Sequence, residues 1–322
     1  MQPLRRRWRA LHLAPDGLPR PEAPFGQGPL AAHVLARVID GAAWGGSRVS
    51  PRLAHRLARV GGTMEWAARP AKRRRLAANL AHAIGRPPEH AEVRALVRAE
   101  MVNEARRSAD VLWALGRPEE VRRTTEIVGI EHVRAAAAAG RGVLLASIHL
   151  GGWEVATAIP KVVVPVPTTA VVADDWLAWA IEHTRVHVGL GLMYRTEPAL
   201  RALRLLRRGE ALLVLGDDSW GGEPRSYPVR FLDGMARMPA GVTTLSRLAG
   251  SPVVCFYVLP NGPRRWQVTI DPPLAPPARD ERGDGEQRML QRLADRWSEM
   301  IRAHPEHWAA AYRVHWLEQE AG

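Results

Sequence analysis

From Glu126 onward, short segments that are apolar at nearly every position alternate with segments of helical spacing. Gly142–Ile148 is the clearest of the first kind, with Ser147 its single hydroxyl. A strand apolar on both sides must be covered on both sides, whereas a strand with one face in water alternates. Strands are expected at Glu126–Ile130, Gly142–Ile148, Thr168–Ala173, Leu192–Tyr194, Ala211–Leu215, Pro252–Leu259 and Arg265–Ile270. Between and after them, helices are expected at Glu131–Ala139, Asp175–Val188, Glu197–Arg208, Met238–Ala249 and Gln287–His304. The alternation predicts an α/β fold, a mostly parallel mixed sheet flanked by helices on both faces. Ligands of such sheets bind outside the carboxyl ends of the strands.

The preceding region reads differently. Arg5–Arg9 is a basic cluster, and the Pro- and Gly-rich run behind it cannot sustain regular structure. Leu30, Val34, Leu35, Val38 and Ile39 then follow helical spacing, as do Pro51–Val60, Met64–Ile84 and Pro88–Leu115. The chain therefore divides into a tail at 1–28, a helical region at 29–118 and an α/β domain at 119–322. No run reaches the ~18–20 apolar residues of a spanning helix. No apolar segment of a secretory signal follows Arg5–Arg7. A lone cysteine, Cys255, excludes an internal disulfide framework.

Charge narrows the partners. The chain carries 45 basic and 33 acidic side chains, a formal charge of +12, and Lys72 and Lys161 are its only lysines. Arginine grips phosphates and carboxylates through a planar fork. Trp outnumbers the other aromatics, 12 against 4 Tyr and 3 Phe, and favours boundaries between wet and apolar surroundings. Together they point to an anionic lipid interface, contacted peripherally, and not to nucleic acid, for which no module signature is present. Solvated arginine and half-buried core tryptophan would give the same counts.

Chemistry concentrates after the apolar strand, in His149-Leu-Gly-Gly-Trp-Glu154. A Gly-containing turn from strand to helix lets the Glu154 carboxylate fold back toward the His149 imidazole. A carboxylate on one ring nitrogen fixes the tautomer and raises the basicity of the other. The exposed nitrogen then takes a proton from an acceptor hydroxyl, as a general base in acyl transfer does. Backbone N–H groups at Gly151 and Gly152 are candidates for stabilising the developing oxyanion. No HExxH or Cys/His spacing indicates a metal. No Gly-x-Ser-x-Gly elbow or Walker loop indicates a serine hydrolase or a nucleotide. The bland alternative is a hydrogen-bonded histidine at a strand end.

His-x4-Glu behind an apolar strand resembles the His-x4-Asp/Glu motif of glycerolipid-type acyltransferases. The surroundings are similar to the lipid A biosynthesis lauroyl/myristoyl acyltransferases and to relatives that acylate phosphatidylinositol mannosides. Arg75-Leu-Ala-Ala-Asn79-Leu80, Val128-Gly-Ile-Glu-His-Val-Arg134, Arg195, Leu213-Val-Leu-Gly-Asp217-Asp218 and Phe231–Gly241 resemble that family's blocks in the same order. The resemblance implies transfer of a fatty acyl group from acyl carrier protein or coenzyme A thioester to a hydroxyl of a lipid acceptor. No further cofactor is implied. It makes His149 the base and Glu154 its orienting partner. Arg195 would hold an anionic group, Asp217 would line the cleft, and Arg185 and Arg237 would be further sites for anionic head groups. It places the protein on the cytoplasmic face of the inner membrane. The competing reading is a non-catalytic protein on the same fold that binds membranes or polyanions.

Overall fold

The structure is a computed structural model that describes residues 41, 44–46, 48–114, 117–155, 164–172, 190–218, 225–311 and 314–317. The tail at 1–28, the helical run at Leu30–Ile39, the expected helix Asp175–Val188 and Arg185 lie outside these residues.

Three long helices come first: α1 (Pro51–Ala68), α2 (Pro70–Ile84) and α3 (Ala91–Ala114). Ser50 starts α1, its hydroxyl accepting the Leu53 N–H at 3.3 Å, and Pro51 occupies the first turn where no donor is needed. The sequence suggested a break between Val60 and Met64, yet α1 runs through Gly61 and Gly62 and stops at Arg69, before Pro70. Close packing explains the difference. Gly62 lies against α3 so tightly that a Cβ there would stand 2.7 Å from the Met101 carbonyl oxygen and from Val102 Cα.

Short α4 (Pro118–Arg123) leads into β1 (Thr125–Val128), α5 (Ile130–Ala138), β2 (Val143–Ser147), β3 (Thr168–Val172) and β4 (Gly191–Tyr194). Then come α6 (Ala199–Arg207), β5 (Ala211–Leu215), β6 (Ser226–Phe231), β7 (Gly234–Pro239), α7 (Gly241–Ala249) and β8 (Val253–Pro260). The chain closes with β9 (Trp266–Ile270), α8 (Asp284–Ala303), a 3-10 turn at Pro305–His307 and β10 (His315–Trp316). Seven strands form one sheet in the order β1-β9-β8-β2-β5-β3-β4. The five from β8 to β4 are mutually parallel, and β9 with β1 runs the other way. The mostly parallel mixed sheet is thus as expected, and β2 is central.

Alternate residues of β2 feed two cores. Leu144 and Ala146 join Leu76, Leu80, Met101, Trp297 and Trp308 on one face. Val143 and Leu145 join Val133, Ala136 and Val268 on the other. That double burial is why the run carries no polar alternation. The N-terminal helices α2 and α3 therefore share the principal core with the sheet.

One element was not expected. β6, β7 and β10 form a separate antiparallel sheet in the order β10-β7-β6. The helix expected from Met238 begins only at Gly241, because Met238 pairs with Tyr227 as part of β7. Burial in β7 alternates from Gly234 to Met238, the period-two signature of a strand with one covered face.

The α1–α3 contact generates a stability test. Gly62→Ala is expected to destabilise the protein by about 1–3 kcal/mol, since the added methyl meets backbone that cannot yield like a side chain. Urea unfolding measures it; an unchanged midpoint would contradict the packing described.

Candidate active site

In-register parallel pairing builds the site. β2 and β5 are neighbours, with Val143 opposite Ala211 and Ser147 opposite Leu215. Continuing that register past the strand ends sets His149 opposite Asp217. The Gly216 N–H donates to the Ser147 carbonyl at 2.8 Å and carries the pairing one step further. Both functional side chains so emerge at the carboxyl ends of adjacent strands, the edge where such sheets bind ligands.

His149 Nδ1 lies 2.7 Å from Asp217 Oδ1, and the His149 backbone N–H donates to both carboxylate oxygens at 3.1 Å. Trp308 Nε1–H donates to Oδ2 at 3.0 Å. Asp217 is 3% exposed. Burial by itself would raise its carboxyl, but the imidazole's charge and the hydrogen bonds from His149 and Trp308 outweigh that and hold it below the usual carboxylate range. An ionised acceptor beside Nδ1 keeps the ring proton there, so Nε2 is the basic nitrogen of the neutral ring. His149 is itself buried, with about a tenth of its side chain exposed. The Trp153 ring meets it edge-on with centroids 4.8 Å apart.

The segment after α8 grips the same turn. Ala309 N–H donates to the His149 carbonyl at 2.8 Å, and Gly151 N–H donates to the His307 carbonyl at 2.9 Å. Leu150 bridges to Trp308 and Gly151 to Val258. Burial, then the neighbouring His304 and the Arg107 and Arg106 guanidiniums, pushes His307 below its ordinary value despite Glu306. α3 contributes Arg107, whose Nε is 3.8 Å from Glu154 and whose Nη2 is 3.9 Å from Glu100. Glu100 is 1% exposed, and burial, then Glu104, push its carboxyl up to about 8. Glu100 is thus largely neutral at pH 7.

These contacts revise several sequence expectations. The carboxylate on Nδ1 is that of Asp217, expected only to line the cleft, and not that of Glu154. Sequence proximity favoured Glu154; the strand register favours Asp217. Gly151 and Gly152 do not offer their N–H groups to an oxyanion. Gly151 N–H is bonded to His307, and Gly152 N–H donates to the Val258 carbonyl at 2.6 Å. Their lack of side chains serves packing: Gly151 has φ 61°, and a Cβ on Gly152 would lie 2.8 Å from the Trp266 ring.

Arg195 is exposed just past β4, on the same edge of the sheet as His149 but three strands away, roughly 14 Å at ~4.8 Å per strand. Arg237 lies apart, in β7 opposite His315 and Pro228 of the small sheet. Trp308 and Arg107 were not identified from sequence as site residues, since their contacts join segments far apart in the chain. Among the described residues no group of three or more His, Cys, Asp and Glu side chains is placed to hold a metal ion.

A profile of the family described as bacterial lipid A biosynthesis acyltransferase matches residues 42–318. The lipid A biosynthesis lauroyltransferase of Escherichia coli (strain K12) is 25% identical over 167 residues, 50% of this chain and 53% of that protein. The chain so spans about half the length of the curated relative it matches.

Asp217 sets an acid limit. A carboxylate held low in the fold adds stability above its unfolded pKa, near ~3.9, and that contribution is lost as pH falls through the lower folded value. Stability of the wild type is therefore expected to fall more steeply below about pH 4 than that of Asp217→Asn, which has nothing to titrate there. Trp308→Phe is expected to cost about 1–3 kcal/mol at neutral pH by leaving Oδ2 short of a donor. Denaturant titration across pH measures both, and parallel curves for wild type and Asp217→Asn would contradict the pairing.

Proposed function

The chain belongs to the bacterial lipid A biosynthesis acyltransferase family, and on that premise we propose that it is an O-acyltransferase acting on a lipid or glycolipid hydroxyl. The donor is an acyl thioester of acyl carrier protein or coenzyme A, and no metal or prosthetic group takes part. The observation that carries this reading is the His149–Asp217 pair at 2.7 Å, at the carboxyl ends of two adjacent parallel strands.

His149 Nε2 takes the acceptor's hydroxyl proton as the oxygen attacks the thioester carbonyl carbon. A C–O bond forms, the C–S bond breaks, and the departing thiolate recovers the proton from the imidazolium. Asp217 keeps its charge throughout and fixes the ring through Nδ1. Glu154, five residues after His149 and beside Arg107, is proposed as a second carboxylate favouring the imidazolium. Arg195, exposed at the carboxyl end of β4, suits a bidentate contact to an anionic group of donor or acceptor. Among the described residues no helix is long and apolar enough to cross a membrane. The reading is of a peripheral enzyme at the cytoplasmic face of the inner membrane.

His149→Ala is expected to lower kcat by about 10²–10⁴-fold, the range a positioned general base supplies, and to cost about 1–3 kcal/mol of stability by taking a donor from Asp217, leaving the protein folded. Asp217→Asn and Glu154→Gln are each expected to lower kcat at least about tenfold. Mass spectrometry of membrane lipids from cells with and without an active copy supplies the acceptor, as a species differing by one acyl group. Full activity in His149→Ala would overturn the mechanism. Absence of transfer from either donor class by the wild type would favour the binding-protein alternative.

A further inference from the structure

α1 turns its apolar residues outward. Leu53, Leu57, Val60 and Met64 recur at helical spacing and are 47%, 59%, 58% and 66% exposed. At ~100° per residue they fall within about 60° of one another, on the side opposite Gly62. Gly62 is the residue pressed against α3, so the stripe is the face that packing on the body leaves out. Trp44, just before the helix, is 62% exposed with the Arg48 guanidinium 3.5 Å above its ring.

Charge on this face has one sign. Arg52, Arg56 and Arg59 are exposed along one flank of the stripe. The helix carries a single acid, Glu65, and it is engaged by Lys72 at 3.1 Å and Arg69 at 3.2 Å. The helix is also firmly seated. His55 Nε2 meets the Asp110 carboxylate at 2.9 and 3.0 Å, and Arg264 Nη2 donates to the carbonyls of Gly46 and Val49 at 2.9 and 3.0 Å. An apolar stripe with a cationic flank is the pattern of a helix lying in the plane of a membrane interface. Four large apolar side chains in one exposed patch mark an interaction surface.

We propose that the outward face of α1, with Trp44 ahead of it, docks the protein onto an anionic lipid surface. The stripe enters the headgroup boundary while Arg52, Arg56 and Arg59 meet lipid phosphates. This deepens the lipid-acyltransferase reading and rests on it for its purpose. α3, directly beneath α1, carries the Arg107 that stands beside Glu154, so docking by this face turns the helical side of the site toward the bilayer.

The test is co-sedimentation of the full chain with vesicles of phosphatidylglycerol and phosphatidylethanolamine, against phosphatidylcholine alone. The wild type is expected to bind the anionic vesicles preferentially, and more weakly as salt rises. Leu57→Glu/Val60→Glu is expected to weaken that binding at least about tenfold, and Arg52→Glu/Arg56→Glu to weaken it and flatten its salt dependence. Both are expected to leave Tm within about 2 °C, because the replaced side chains are exposed. Leu248→Glu, at an exposed position on α7, is expected to bind as the wild type does.

Equal vesicle binding by the wild type and Leu57→Glu/Val60→Glu would overturn the proposal, as would failure of the wild type to bind. A large fall in Tm without loss of binding would also overturn it, showing the stripe to be covered by the chain's own residues ahead of Gly41. So would dissociation of a dimer by the double variant with vesicle binding intact. Transfer to a detergent-dispersed acceptor separates the two readings: without it the enzyme assignment fails while vesicle binding stands. Activity with unchanged vesicle binding in the variants removes only the docking face.

Discussion

A carboxylate buried as deeply as Asp217 is tolerable only if its oxygens are satisfied, because the effective cost of desolvating a charge inside a protein is several kcal/mol. Asp217 meets that demand with the His149 backbone N–H, the His149 ring and the Trp308 indole N–H. The groups so joined come from three parts of the architecture. The ring and the N–H mark the end of β2, the carboxylate marks the end of β5, and the indole belongs to the segment beyond α8. The same contacts that stabilise the fold orient the imidazole.

The coupling explains how a turn with two glycines is held still. Gly151 and Gly152 let the chain pass close to Val258 and Trp266, and their N–H groups anchor it to His307 and Val258. Ala309 closes the arrangement by donating to the His149 carbonyl. Behind the turn, Gly216 permits the Trp297 ring to lie against the backbone just before Asp217, where a Cβ would collide with it. Helical packing supports the site from the other side, with α3 bringing Arg107 to Glu154. The family to which the chain belongs is defined over almost all of these elements, from residue 42 to residue 318.

Much of this was legible before any coordinates. Ala211–Leu215 is a strand with the expected bounds, and β2, β8, β9 and α8 fall within a few residues of expectation. The runs of β2, β5 and β8 are apolar for one reason, burial on both faces, which composition reveals directly. His149 was recognisable because it ends such a run, and Asp217 because the segment around it resembles a block of the family. Their pairing was not, since sheet order is a tertiary choice: β5 neighbours β2 although β3 and β4 intervene in the chain. Gly151 and Gly152 read as oxyanion donors because sequence cannot show which N–H groups are already bonded. The small sheet was overlooked because the helical spacing after Met238 masked the alternation of β7. On α1 the apolar face is the exposed one, which helical spacing by itself cannot show.

The central claim is that Asp217 holds the proton on Nδ1 of His149 and leaves Nε2 as the base. Nitrogen-15 NMR of protein labelled at histidine tests it directly, with His149→Gln identifying the signal among the 12 histidines. For the neutral ring the expected spectrum shows a protonated Nδ1, with a downfield hydrogen-bonded proton absent from Asp217→Asn, and an unprotonated Nε2. A His149 ring protonated on Nε2 instead, and unmoved by Asp217→Asn, would contradict the account.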